Sequence, residues 1–248
     1  MLSGRVPCYS AVLRDISKLG RRTGMVARRT LAEDVIERGF TFLRGLLPNA
    51  STLQAITELG VVDVVEGLAQ VQTLVPTEIS HAPPNTYSGN FGLAAFPLHT
   101  DLAHWGVPPR FLALRCVSGS AAVPTRVLDG RVLVDKFGLT NLRRALVQSR
   151  RPIRNRKQLL PLCERLSGDA AYRLRWDSIY LRPASEASST MFEEISAYLA
   201  TVQVEEIRLL EPGDTLIIDN WRCLHGRGTA SELSDTRKIE RAYLRSIT

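Results

Sequence analysis

Sulfur and aromatic rings are scarce in this chain of 248 residues, which holds four cysteines, three methionines and 6% aromatics. Cys8, Cys116, Cys163 and Cys223 stand far apart with no Cys-x-x-Cys, so the chain encodes neither a zinc cluster nor a disulfide scaffold. A reducing cytoplasm is the simplest setting for them. No apolar run reaches the roughly 20 residues that a membrane helix needs, and no internal repeat or low-complexity tract is present. Acid is also in deficit, with 25 Asp and Glu against 32 Lys and Arg, for a formal charge of +7. An anionic partner therefore has to be weighed. Residues 143–157, RRALVQSRRPIRNRK, carry seven basic side chains and no acidic one. The run reads first as a solvated or internally paired face. It could also dock an anionic macromolecule, such as an acidic carrier protein with a tethered substrate, or form part of a substrate lid. Its lack of an aromatic for base stacking weighs against nucleic acid.

What is present suffices for one domain: 44% hydrophobic residues give a sizeable core, and the length is short for two independent units. We read residues 1–30 as a basic N-terminal extension and 31–248 as a single domain. The extension is arginine-rich and acid-poor, a composition shared by mitochondrial transit peptides and by basic helices lying on a domain. The pattern then predicts a helix at TLAEDVIERG, a strand at FTFLRG, a helix at ASTLQAITELGVV capped by Ser51, and a strand near QVQTLVP. Residues 79–96 read as a long Pro, Gly, Asn and Ser loop of functional length. Strands at FLALRCV, AYRLRW and SIYLRP follow, then a helix at SSTMFEEISAYLATV and strands at TLIIDN and IERAYL. Helices fill the first half and strands the second, which suits a double-stranded β-helix, or jelly roll, with flanking helices.

The chemistry centres on His99 and Asp101 in LHTDLAHW and on His225 in DNWRCLHGRG. On a strand, one intervening residue puts the histidine and the carboxylate on the same face. A second histidine brought back by the fold completes two imidazoles and one carboxylate. This is the facial triad that leaves open positions on Fe(II) for cosubstrate and dioxygen. By itself the spacing is weak, since four histidines in an average composition yield about 0.4 His-x-acid matches by chance. Its company strengthens it. Arg237 and Arg241 flank Ile239 on one face of a predicted strand, and two inward guanidiniums require anions. A carboxylate suits their planar forks. Thr125 adds a hydroxyl donor. His81 and His104 lack ligand support, and His104, three residues past Asp101, is expected to point elsewhere. Cys223 is expected to be either a small buried hydrophobe or, facing the metal side, an oxidation liability.

Together these segments resemble the TauD/TfdA group of Fe(II)- and 2-oxoglutarate-dependent dioxygenases, from about residue 38 to the C terminus. The resemblance is carried by ERGFTFLRGL, FPLHTDLAHWGVPPRFLALRCV, PTRVLD, LRWDSIYLRP, GDTLIIDNWRCLHGR and RKIER. It implies that His99, Asp101 and His225 hold iron and that Arg237 with Thr125 holds the distal carboxylate of 2-oxoglutarate. Arg241 would then face the substrate or share the cosubstrate. SGSAAVPT departs from the Gly-rich stretch that the group carries ahead of the threonine.

For a small, anionic or amino-acid-like substrate, Tyr87, Ser88, Asn90 and Trp105 are candidate pocket residues, each with a structural role as the alternative. Asp177 could meet a substrate cation, or simply pair with Arg175 or Arg182. The expected activity is oxidation of an unactivated carbon with release of succinate and CO2. Alternatives are the same chemistry on a carrier-tethered or nucleic-acid substrate, and a non-catalytic jelly-roll binding protein.

Overall fold

The computed structural model describes residues 30–152, 156–167, 171–231 and 237–248. The proposed N-terminal extension and the middle of the basic run fall outside them, apart from Thr30. Thr30 and Ser51 each close a capping box, opening α1 (Leu31–Arg38) and α2 (Thr52–Thr57). Between them runs β1 (Phe40–Leu43). The helix expected to extend to residue 62 stops at Thr57. Gly60 instead starts β2 (Gly60–Val62), so close to the last strand that a Cβ there would lie 2.0 Å from the Ser246 carbonyl oxygen. Next come β3 (Gln72–Leu74) and the stretch expected to be loop, which contains a 3-10 turn and a short helix, α3 (Tyr87–Phe91). Thr86 caps that helix by accepting from the Gly89 N–H.

The long central strand β4 (Phe111–Ser118) precedes β5 (Thr125–Asp129). Helices α4 (Arg131–Phe137) and α5 (Leu139–Arg144) follow, then β6 (Leu146–Ser149), β7 (Leu159–Pro161), β8 (Cys163–Arg165), β9 (Tyr172–Leu174) and β10 (Leu181–Pro183). The chain closes with α6 (Glu186–Thr201), β11 (Glu205–Ile207), β12 (Thr215–Asp219), β13 (Cys223–Arg227) and β14 (Lys238–Ile247).

The strands form a jelly roll. Its main antiparallel sheet has the order β1-β12-β4-β14-β2, with β3 also on β14, and a second sheet has the order β11-β5-β13. Smaller sheets, β10-β6-β7 and β8-β9, complete the wall. Strand β4 reads as an almost unbroken apolar run because both its faces are covered. Leu112 and Leu114 pack inward with Phe40, Leu216, Ile218 and Val127, while Phe111 and Ala113 pack outward with Val35 and Ile56 from α1 and α2. Cys223 belongs to the inner cluster and does not line the cavity, so it is a buried hydrophobe and the oxidation-liability reading is withdrawn. Among the described residues, no helix is long and apolar enough to cross a membrane.

Candidate active site

His99 lies outside the named strands. It forms a single antiparallel bridge to His225 on β13, with backbone hydrogen bonds of 2.9 and 2.8 Å. Asp101 begins a turn in which Leu102 adopts φ 55°. The expected strand is therefore corrected to a bridge and a fastened turn. The fastening is Asn220, fully buried at the end of β12. Its side chain accepts from the Asp101 N–H at 2.7 Å and donates to the carbonyls of Asp101 and Pro109 at 3.0 and 2.9 Å. Sequence reading passed over Asn220, although it sits in the same DNWRCLHGR block as His225.

These supports gather three buried donor groups. Asp101 Oδ1 lies 3.5 Å from His99 Nε2 and 3.6 Å from His225 Nε2, and one ligand atom from each residue falls within 4.8 Å of the others. His99 Nδ1 sits 2.9 Å from the Pro97 carbonyl oxygen, the contact that orients a ligating imidazole. Burial alone would raise the Asp101 carboxyl, but Arg241 and then the two histidines hold it well below the ordinary carboxylate range. Burial, and next the His99 charge, pushes His225 down, favouring the neutral imidazole. An ionised carboxylate and imidazole nitrogens converging in this way fit a divalent iron.

Arg241, expected to face the substrate or share the cosubstrate, lines the cavity over the triad; it also donates to Asp101 Oδ2 at 2.9 Å and to Gln72 on β3, and the Tyr243 hydroxyl donates to the same Asp101 oxygen at 2.9 Å. One carboxylate oxygen is thus occupied, while the other faces the imidazoles.

A cavity of 620 Å³ opens over the triad. One group lining it comprises Thr125, Arg227 and Arg237. Thr125 is buried and sits opposite Arg227 in the β5–β13 register. Burial pushes the Arg237 guanidinium down to about 10, and no carboxylate among the described residues pairs with it. Arg227 was not anticipated, although its position two residues past His225 on one strand was a usable signal. It donates to the carbonyls of Gly92 and Ala94 and lies 3.7 Å from the Phe96 ring centroid. Gly226 permits this approach, since a Cβ there would lie 2.7 Å from the Phe96 carbonyl oxygen.

The other group comprises Tyr87, Ser88, Asp177, Tyr180 and His104. Asp177 is 1% exposed and accepts from the Tyr87 hydroxyl at 2.8 Å and from the N–H groups of Ile179 and Tyr180 at 2.7 and 2.8 Å. It pairs with neither Arg175 nor Arg182. The Arg175 guanidinium donates to the carbonyls of Ala103, Trp105 and Gly106, and Arg182 lies exposed on β10. Tyr87 stacks on His99, with ring centroids 4.1 Å apart. His104, expected to point elsewhere, lines the cavity because the turn after Asp101 carries it round; its Nδ1 is buried without a partner. Asn90 and Trp105 do not line it. Asn90 is exposed and donates to the Thr86 carbonyl, and Trp105 packs on the inner core. His81 is exposed and also stands outside the lining.

No family model matches the chain, and no curated protein matches it. Solved structures do. One is asparagine oxygenase with Fe(II), 3-hydroxyasparagine and succinate, at 21% identity and TM-score 0.57, covering 71% of this chain and 56% of that one. A second is PvcB, an iron- and α-ketoglutarate-dependent oxygenase from an isonitrile synthetic pathway, at 18% identity and TM-score 0.59, covering 85% and 77%. The third is the non-haem iron oxygenase OrfP with iron, succinate and (3S)-hydroxy-L-arginine, at 20% identity and TM-score 0.54, covering 71% and 56%. The chain therefore spans little more than half the length of two of these neighbours. At such identities the likeness is one of fold: the jelly roll here is the one on which these oxygenases are built.

Proposed function

We propose that this chain is an Fe(II)- and 2-oxoglutarate-dependent dioxygenase of the TauD/TfdA kind. It would oxidise an unactivated carbon of a small amino-acid-like substrate, by hydroxylation or a related reaction, with release of succinate and CO2. The observation that carries this reading is the convergence of His99, Asp101 and His225 under a cavity that also receives the buried Arg237 without a carboxylate partner among the described residues. When bound, iron supplies the activation of dioxygen coupled to decarboxylation of the cosubstrate. The protein's own residues set the geometry. Arg237 and Thr125 hold the distal carboxylate of 2-oxoglutarate, Arg241 and Tyr243 hold the outer oxygen of Asp101, and Asn220 holds its backbone.

On the substrate side, Asp177 is a buried carboxylate with no cationic partner among the described residues, and it lines the cavity. A substrate ammonium would supply the missing charge. The neighbours that hold hydroxylated asparagine or arginine support the same amino-acid class. Buried, unpaired Cys116, Cys163 and Cys223 fit a reducing, cytoplasmic setting.

Anaerobic titration of the apoprotein with Fe(II) and 2-oxoglutarate tests the reading. A weak visible charge-transfer band in the wild type that is missing in His99→Ala is the expected result. No band at saturating iron and cosubstrate would leave a non-catalytic jelly-roll binding protein as the better account.

One observation favours a tethered substrate as a second reading. Arg150 and Arg151, in the basic run, reach the cavity rim: the Arg150 N–H donates to the carbonyl of cavity-lining Tyr180, and Arg151 donates to the Asn85 side chain. If an acidic carrier docks there, the double variant Arg150→Glu/Arg151→Glu loses turnover of the tethered substrate and keeps that of the free one. Equal retention of both excludes docking at this rim.

A further inference from the structure

The two histidines of the triad are held unequally. His225 sits within β13 and its Nδ1 is buried without a hydrogen-bond partner, so the strand backbone aims its ring. His99 stands outside the named strands and is fixed at Nδ1 by the Pro97 carbonyl. The His225 ring packs against the imidazole in a tilted arrangement with centroids 4.5 Å apart, and the Tyr87 ring stacks on it, lying 4.1 Å from the imidazole centroid at an interplanar angle of 23°.

Tyr87 is itself anchored at several points. Its hydroxyl donates to Asp177 Oδ2, while Asp177 Oδ1 is pinned by two backbone N–H groups. The Thr86 cap fixes the start of α3, and Arg227 grips the carbonyls of Gly92 and Ala94 just beyond its end. We infer that Tyr87 is a positioning residue for His99, through which the 79–96 segment keeps this ligand aimed at Asp101. The inference rests on the metal-site reading above and adds to it a residue of the cavity wall that is not itself a ligand. Phe91 provides a contrast, since it lies on the same helix and packs on Tyr87 and Phe96.

The test is Co(II) titration of the full apoprotein, with chelator competition for affinity and visible absorption for geometry. It compares the wild type with Tyr87→Phe, Tyr87→Leu and Phe91→Leu, each checked for folding by circular dichroism. An aromatic stack is worth about 0.5–1.5 kcal/mol, which converts to about a two- to tenfold change in affinity. Tyr87→Leu should therefore bind Co(II) roughly two- to tenfold more weakly, with an altered band. Tyr87→Phe, which keeps the ring and loses only the hydroxyl anchor, should lie closer to the wild type in affinity and band than Tyr87→Leu, and Phe91→Leu should leave both unchanged. If Tyr87→Leu does not fold, Tyr87→Met answers in its place, filling the volume without a ring. The inference is overturned if the ring-less variant matches the wild type, or if Phe91→Leu falls as far as Tyr87→Leu. A wild-type protein that takes up no Co(II) overturns the metal-site reading, and this inference with it.

Discussion

Replacing Arg237 by methionine should stabilise the empty protein while it weakens binding of the proposed cosubstrate. Arg237 is 6% exposed, and burial pushes its guanidinium down to about 10 from an ordinary 12.5. At 1.36 kcal/mol per pH unit, the folded state bears a penalty on the order of 3 kcal/mol for holding that charge. The folded value lies below the unfolded one, so stability from this group rises only between about pH 10 and 12.5, and at pH 7 the penalty applies in full. Methionine keeps most of the aliphatic stem and removes the charge. For a chain of this size, 1 kcal/mol moves Tm by roughly 2–4 °C, so a gain of several degrees is expected, with roughly 12 °C as the ceiling. Hydrogen bonds to a charged group contribute about 1.5–3 kcal/mol, so loss of the fork should weaken 2-oxoglutarate at least about tenfold. Thermal melts with and without 2-oxoglutarate read both effects together. A variant that melts below the wild type without cosubstrate, yet keeps the ligand-induced shift, would refute both the strain and the assignment.

Three further outcomes are expected. Asn220→Ala removes three hydrogen bonds from a fully buried side chain and should cost about 3 kcal/mol in urea unfolding, with Co(II) affinity falling alongside as the Asp101 turn loosens. Asp219 is pushed up to about 6 by burial, only partly countered by Arg110. Its folded value exceeds the unfolded one, so its contribution to stability is fully present below about pH 4 and lost as pH rises through 6. Asp219→Asn should therefore raise Tm more at pH 7.5 than at pH 4, and an equal gain at both would contradict this. Asp177→Asn should raise KM about tenfold or more for substrates with a free ammonium and change kcat less, read by succinate release; a fall in kcat alone would argue against a binding role.

The triad was legible because its chemistry is local in type. Two histidines, a carboxylate and the Arg237–Ile239–Arg241 spacing need only a strand period to be read. The strand around His99 was not legible, because a side-chain clamp from Asn220, some 120 residues away, replaces regular pairing. Periodicity also could not say which of the two arginines is held by other side chains, since that depends on Gln72 and Asp101 reaching Arg241 across the fold. The end of α2 was misplaced because β14 captures Gly60, a long-range pairing stronger than local helix propensity. Helices α4 and α5 and strands β6 to β8 lie in stretches whose apolar residues meet α6 and one another across the second core, a pattern with no single period.

The same geometry accounts for the excess of positive charge. Arg115, Arg175 and Arg227 are buried, yet all three donate mainly to backbone carbonyls: of Leu46, Leu47, Ala50 and Gly213 for the first, Ala103, Trp105 and Gly106 for the second, Gly92 and Ala94 for the third. Each fastens irregular backbone that no strand could satisfy, as buried carbonyls require. The segment at 103–106 includes the cavity-lining His104, just after the His99–Asp101 turn. An arginine spent on carbonyls leaves its charge uncompensated in the net count, so part of the +7 needs no anionic macromolecule to explain it. Arg237 lines the cavity as Arg227 does, and burial pushes its guanidinium down to about 10 with no carboxylate among the described residues as its partner. An anionic ligand fills that role at least structural cost, which is why the cosubstrate assignment falls on Arg237 and not on the better-bonded Arg241.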